Sequence, residues 1–295
     1  MQRVESEIVR LVDECGYDEV TRLFQTLQGG KRLRAKLILK IAKEHQQAPL
    51  LAAIVELIHA ASLLHDDVID DAMTRRGVAS VNATQGSKTA VMLGDVLYSK
   101  AFTELVGFDK EVAKTIASSV TALSIGEMMD VKMAESFNAD EKRYLDMLYL
   151  KTATLIEAAS SAAALLSGKD AQKYAIYGRN LGLSFQIIDD ILDITADEKT
   201  LGKPAMNDFV EGKCTLPYIY LYHKLSQKDQ QKLISLHGKK ISLEDTQWIV
   251  QKMDQHKTIE QSFALAQQLS LEAQEAMAGE DELIAILDTM IKRSY

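Results

Sequence analysis

Proline is scarce in this 295-residue chain: Pro49, Pro204 and Pro217 are its whole complement. Long stretches therefore lack the residue that breaks helices. Alternating runs rich in Val, Thr and aromatics, the mark of half-buried strands, are missing as well. Together the two absences predict an all-α fold. Cysteine is equally sparse. Cys15 and Cys214 stand apart without metal-ligand spacing, the pattern of a reducing compartment, and a cytoplasmic location is expected. Basic residues are outnumbered, 34 against 42 acids for a net charge of −8, which argues against nucleic acid or an anionic membrane as the main partner. No uncharged run approaches the ~20 residues that cross a bilayer, so no transmembrane segment is expected. The N-terminus, MQRVESEIVRLVDE, is charged and amphipathic rather than a secretory signal.

What is present is an ordinary globular composition, 47% apolar and 26% charged, with acid concentrated in two places. Residues 54–77 read IVELIHAASLLHDDVIDDAMTRRG. An apolar helix is followed at once by Asp66, Asp67, Asp70 and Asp71, then by Arg75 and Arg76. Asp66 and Asp70 are four residues apart, so a helix projects both carboxylates from one face, about 6 Å apart along the axis. Crowded acids repel and destabilise a bare helix, so a cation is expected among them. A solvated acidic helix end would be the plain alternative. Against it, the acids continue a core-facing run, and the basic pair comes only afterwards. Paired carboxylates that leave room for substrate phosphates are the usual Mg²⁺ arrangement.

The pattern recurs in GLSFQIIDDILDI, residues 182–194, where Asp189, Asp190 and Asp193 repeat the spacing of Asp66, Asp67 and Asp70. Two such clusters on facing helices would cage divalent cations and a polyanion; buried without them, that much negative charge would be prohibitive. Elsewhere, GGKRLR at 29–34 joins a glycine pair, which permits close backbone approach, to Lys31 and Arg34, which can reach an anion. The segment TADEKTLGKPAMNDFVEGKCTLP, residues 195–217, is punctuated by Gly202, Pro204 and Gly212. Its Lys203 and Lys213 are spaced to fold over an anion. Asp140 precedes a helical run as an N-cap would. Glu127 and Asp130 have no readable role.

These motifs, in this order, resemble the trans-isoprenyl diphosphate synthases over residues 29–217. The resemblance implies a single domain over 1–295, a bundle of long helices around a central cavity, and a homodimer. It implies Mg²⁺-dependent condensation of isopentenyl diphosphate with an allylic diphosphate. Asp66 and Asp70 match first-motif metal ligands and Asp189 the leading ligand of the second, with Asp67, Asp190 and Asp193 completing the acid sets. Arg75, Lys151 and the two loop lysines match residues on the allylic diphosphate. Lys31, Arg34, His59 and Arg76 match those on isopentenyl diphosphate. Thr152 follows Lys151 in a KT pair, and Gln186 lies near the reacting isoprenoid. A glycine common near Met206 is missing, and Ala35 stands where proline is frequent.

Ala61 and Ser62 lie five and four residues before Asp66, one to two turns deeper. Short-chain relatives often place Phe or Tyr there. Small residues, and the lack of a two-residue insertion in the first motif, predict a long product of the kind used as a quinone tail. Geranylgeranyl or farnesyl diphosphate would be the shorter alternative. A terpene cyclase would not need GGKRLR and usually carries a different second motif; a regulatory subunit would normally have lost one acid cluster.

Overall fold

The computed structural model describes residues 1–27, 30–75, 77–195 and 206–291. It divides into two compact units, Met1–Thr121 with Leu155–Ala175, and Ala122–Thr154 with Ile176–Tyr295.

The first unit is assembled on α4 (Ala48–Ile69), against which α1 (Gln2–Asp13), α3 (Leu33–Ala42) and α6 (Ser87–Leu105) pack. α2 (Asp18–Thr26) lies on α1, and the short α5 (Val81–Gln85) on α6. Pro49 occupies the first turn of α4, where its missing N–H costs nothing. Leu51, Ile54, Leu57 and Ile58 are fully buried, each contributing about 1.5–3 kcal/mol of apolar burial. α4 is long and apolar enough to cross a membrane by length and composition alone, yet 67% of its apolar window is buried inside the protein. It is the unit's core helix. Charges at Glu56 and at Asp66 and Asp67 interrupt the run, which is why no uncharged stretch was legible in the sequence.

Between α4 and α5 the chain forms a two-residue antiparallel ladder, Thr74–Arg75 against Val78–Ala79, with Arg75 opposite Val78. Gly77 takes φ +77° at its turn, a region that suits a residue without Cβ. This ladder departs slightly from the all-helical expectation. The Ser80 hydroxyl ties it down, donating to the Ala72 carbonyl at 2.6 Å and accepting from the Ala83 N–H at 3.0 Å as the cap of α5.

The second unit contains the later part of α7 (Lys110–Ala134), α8 (Glu141–Leu148) and most of α10 (Ala171–Thr195). α9 (Thr154–Leu166) belongs largely to the first. Asp140 caps α8 as expected, its carboxylate accepting from the Arg143 N–H at 3.1 Å. α8 runs into a π-helical turn at Tyr149–Ala153. Ile187, Ile188 and Ile191 of α10 pack with Tyr144, Met147 and Leu148 of α8 and with Leu216 and Ile219 of the helix Leu216–Lys224. A second cluster stacks Phe209 on Tyr218 at 4.3 Å between ring centres. The helices Leu243–His256 and Thr258–Ala276 pack on Leu216–Lys224.

Candidate active site

In the first unit, Asp66 and Asp67 occupy the last turn of α4, which closes when the Asp70 N–H meets the Asp66 carbonyl at 2.9 Å. Asp71 then turns left-handed, φ +47°. Arg75, carried back by the ladder, donates through Nε to Asp67 at 2.7 Å and through Nη2 to Asp66 at 3.0 Å. The cation expected among the acids is therefore partly supplied by the chain itself. Asp67 is buried. Burial pushes its carboxyl above the usual range, with Arg75 opposing the rise and Asp66 and Asp70 adding to it.

His59 and Ser62 are half-buried on α4, and the Ser62 hydroxyl donates to the His59 carbonyl at 2.8 Å. Ala61 has no exposed surface and so lines no open space in this structure. Lys31 is exposed and Arg34 half-buried. Between them Arg32, at φ +51°, reaches Glu5 at 3.0 Å and Glu56 at 3.3 Å. Glu56, 4% exposed, also accepts from the Ala35 N–H at 3.0 Å. The sequence reading missed Glu56; the signal was a lone charge inside the apolar run of α4.

In the second unit a cavity of about 130 Å³ is lined by Lys151, Thr152, Gln186, Asp190, Asp208 and Lys213, among others. The Gln186 amide donates to Asp190 at 2.9 Å, and the Thr152 hydroxyl donates to the Gln186 carbonyl oxygen at 3.4 Å. Tyr144 donates to the other Asp190 oxygen at 2.5 Å. Both oxygens of Asp190 are thus engaged. Burial pushes this carboxyl up to about 8, and Asp208 adds to the rise while Tyr144 and Gln186 counter it. Asp193 accepts from the Asp208 N–H at 3.1 Å, and its own carbonyl from the Met206 N–H at 2.7 Å. It ties α10 to the short helix Asn207–Val210. Asp189 is the most exposed of the three acids.

Lys151 stands in the π-turn, its ammonium 2.6 Å from Asp130 and 3.0 Å from Glu127. The two acids without a readable role are its partners. Lys213 pairs with Glu211 at 3.0 Å, and Gly212, φ +88°, sits where a Cβ would lie 2.7 Å from the Ala134 carbonyl oxygen. Tyr144 and Asp208 were not anticipated; a buried tyrosine on α8 has no periodic signature that separates it from core. Gly29, Arg76 and Lys203 lie outside the described residues.

Every donor in the two acid clusters is a carboxylate, a set that suits a hard cation rather than zinc. Among the described residues no three His, Cys, Asp or Glu side chains converge as a ready-made cage. Mg²⁺ takes one or two carboxylates and fills its shell with water and substrate phosphate. The carboxylate pair Asp66 and Asp70 at the end of α4 suits such a cation, and so, separately, does Asp189 on α10, the least buried acid of its cluster.

The Polyprenyl synthetase family model matches residues 18–277. The octaprenyl pyrophosphate synthase of Helicobacter pylori superposes with a TM-score of 0.92 at 44% identity, covering 99% of this chain and 97% of that one. A short chain isoprenyl diphosphate synthase of Methanothermobacter thermautotrophicus is 40% identical over 222 residues, 71% of this chain and 68% of its own. The octaprenyl diphosphate synthase of Escherichia coli is 34% identical over 233 residues, 76% and 70% respectively. With its helical fold and both acid clusters in place, this chain belongs to the polyprenyl synthetase family of prenyltransferases.

Proposed function

We propose that this protein is a long-chain trans-polyprenyl diphosphate synthase, adding isopentenyl diphosphate repeatedly to an allylic diphosphate. The observation that carries the reading is the grouping of Lys151, Thr152 and Gln186 with Asp190 around one cavity, together with Arg75 held on Asp66 and Asp67. Likeness to an octaprenyl pyrophosphate synthase over 99% of this chain supports the long product.

Asp66 and Asp70 would hold Mg²⁺, as would Asp189 in its own cluster, and the metal when bound supplies positive charge to the leaving diphosphate. Arg75, Lys151 and Lys203 neutralise the same diphosphate as the allylic carbon–oxygen bond breaks; removing one such group typically costs 10²–10³-fold in rate. Lys31, Arg34, His59 and Arg76 hold isopentenyl diphosphate so that its double bond attacks the allylic carbon. The proton lost from the adduct goes to the departing diphosphate, and no side chain is needed as base. Guanidinium suits this site because it stays charged and binds phosphate in a bidentate fashion. The enzyme works as a homodimer in the cytoplasm, a placement supported by the sparse, unpaired cysteines.

Purified protein supplied with Mg²⁺, farnesyl diphosphate and radiolabelled isopentenyl diphosphate tests this. Label in a prenyl diphosphate beyond the C20 length is expected. Products stopping at C20 or below would replace the long-chain reading by the short-chain one. Cyclised hydrocarbon without label, or no turnover, would overturn the synthase assignment.

A further inference from the structure

Gly126 lies in the middle of α7, buried, where glycine costs about 1 kcal/mol relative to alanine. No unusual backbone angle calls for it, since it is absent from the positive-φ residues. Space does. A Cβ on Gly126 would stand 2.3 Å from the Lys151 nitrogen, 2.6 Å from the Leu150 carbonyl carbon and 2.7 Å from the Lys151 Cα. All three are backbone atoms and cannot swing aside. They belong to the π-helical turn Tyr149–Ala153, where one extra residue widens the ring and pushes the backbone outward.

The same helix reaches Lys151 a second time. Glu127 and Asp130, one and four residues beyond Gly126, take its ammonium at 3.0 and 2.6 Å. The three side chains are largely enclosed, Lys151 22%, Glu127 14% and Asp130 10% exposed. A lysine ammonium sits on a flexible four-carbon stem, and here both ends of that stem are fixed by one stretch of α7.

We propose that Gly126 is a positioning residue for the prenyl transfer, acting with Glu127 and Asp130 to set where the Lys151 ammonium meets the allylic diphosphate. The glycine admits the widened turn, and the acids orient the ammonium that the turn presents. This rests on the diphosphate-binding role of Lys151 given above.

A double-mutant cycle tests it, with kcat and KM measured separately for both substrates in wild type, Gly126→Ala, Lys151→Ala and the double variant. Gly126→Ala is expected to lower kcat/KM for the allylic diphosphate roughly tenfold, within the coupling range such cycles resolve, and to leave KM for isopentenyl diphosphate unchanged. In the Lys151→Ala background it is expected to add nothing. Equal losses in both backgrounds would mean a general packing role and would overturn the proposal while leaving Lys151 in place. Asp130→Asn adds no bulk and gives the same comparison should Gly126→Ala fold poorly: a loss beside Lys151 and silence without it are expected, and equal losses sink the idea. If Lys151→Ala itself changes neither parameter for the allylic substrate, the assigned role of that lysine fails, and the positioning role falls with it.

Discussion

The Tyr144 hydroxyl and the Asp190 carboxylate stand 2.5 Å apart, oxygen to oxygen, with both residues buried. The separation is at the short end of the range for O–H···O bonds. Tyr144→Phe keeps the ring in the core and removes only the donor. An expected loss of about 1–3 kcal/mol follows from leaving a buried acceptor short of a partner. Urea denaturation would measure it, and an unchanged midpoint would remove Tyr144 from the site's support.

Arg75 is the internal cation of the first acid cluster, 2.7 Å from Asp67 and 3.0 Å from Asp66. Arg75→Ala is expected to destabilise the protein by about 1.5–3 kcal/mol, the size of a hydrogen bond to a charged group. Millimolar Mg²⁺ should then raise the melting temperature of the variant more than that of the wild type. A cation that gave equal increments to both would show that it does not share the space of Arg75.

His237 is half-buried between the Phe137 and Phe209 rings, and its Nε2 meets the Gly212 carbonyl at 2.7 Å. Burial lowers its pKa below the ordinary value. The unfolded chain therefore takes up a proton first as pH falls, beginning near an unfolded pKa of about 6.5. The stability His237 contributes is fully present above that pH and is lost as pH drops through the folded value. His237→Gln should flatten this part of a melting-temperature profile; a slope unaltered by the substitution would place its origin elsewhere.

Ala61 has no exposed surface, whereas Ser62 is half-buried and keeps its hydroxyl on the helix backbone. Ala61→Tyr must push neighbours aside, at about 1–3 kcal/mol for overpacking, and is expected to shorten the product. Ser62→Tyr has more room and is expected to shorten it with a smaller loss of melting temperature. Reverse-phase thin-layer analysis of dephosphorylated products would report both, and unchanged chain lengths would discard the idea that these positions set the stop.

The helical fold was legible in the sequence because scarce proline and the apolar period of α4 leave little else to form. The acid clusters were legible because charge following directly on a core run is conspicuous. Their supports were not. Glu127 and Asp130 look like solvated charges until α7 is laid beside the π-turn, and no local pattern announces a π-turn. Tyr144 reads as core because its ring is core; only its hydroxyl meets Asp190. Arg75 stands in the sequence as a substrate ligand by resemblance, and the ladder that also brings it onto Asp66 and Asp67 is too short to leave an alternating pattern. Glu56 was visible as a misplaced charge, yet its partners, Arg32 and the Ala35 N–H, are distant in sequence.

Asp71 takes φ +47° immediately after α4 ends, a conformation that aspartate tolerates better than most side chains. Its place in the string DDVIDD is then that of a brake on the helix. Glycine or asparagine would meet the same backbone demand. Written out, the chain opposes four acids with three; once the backbone has turned away at Asp71, the two motifs are matched three for three.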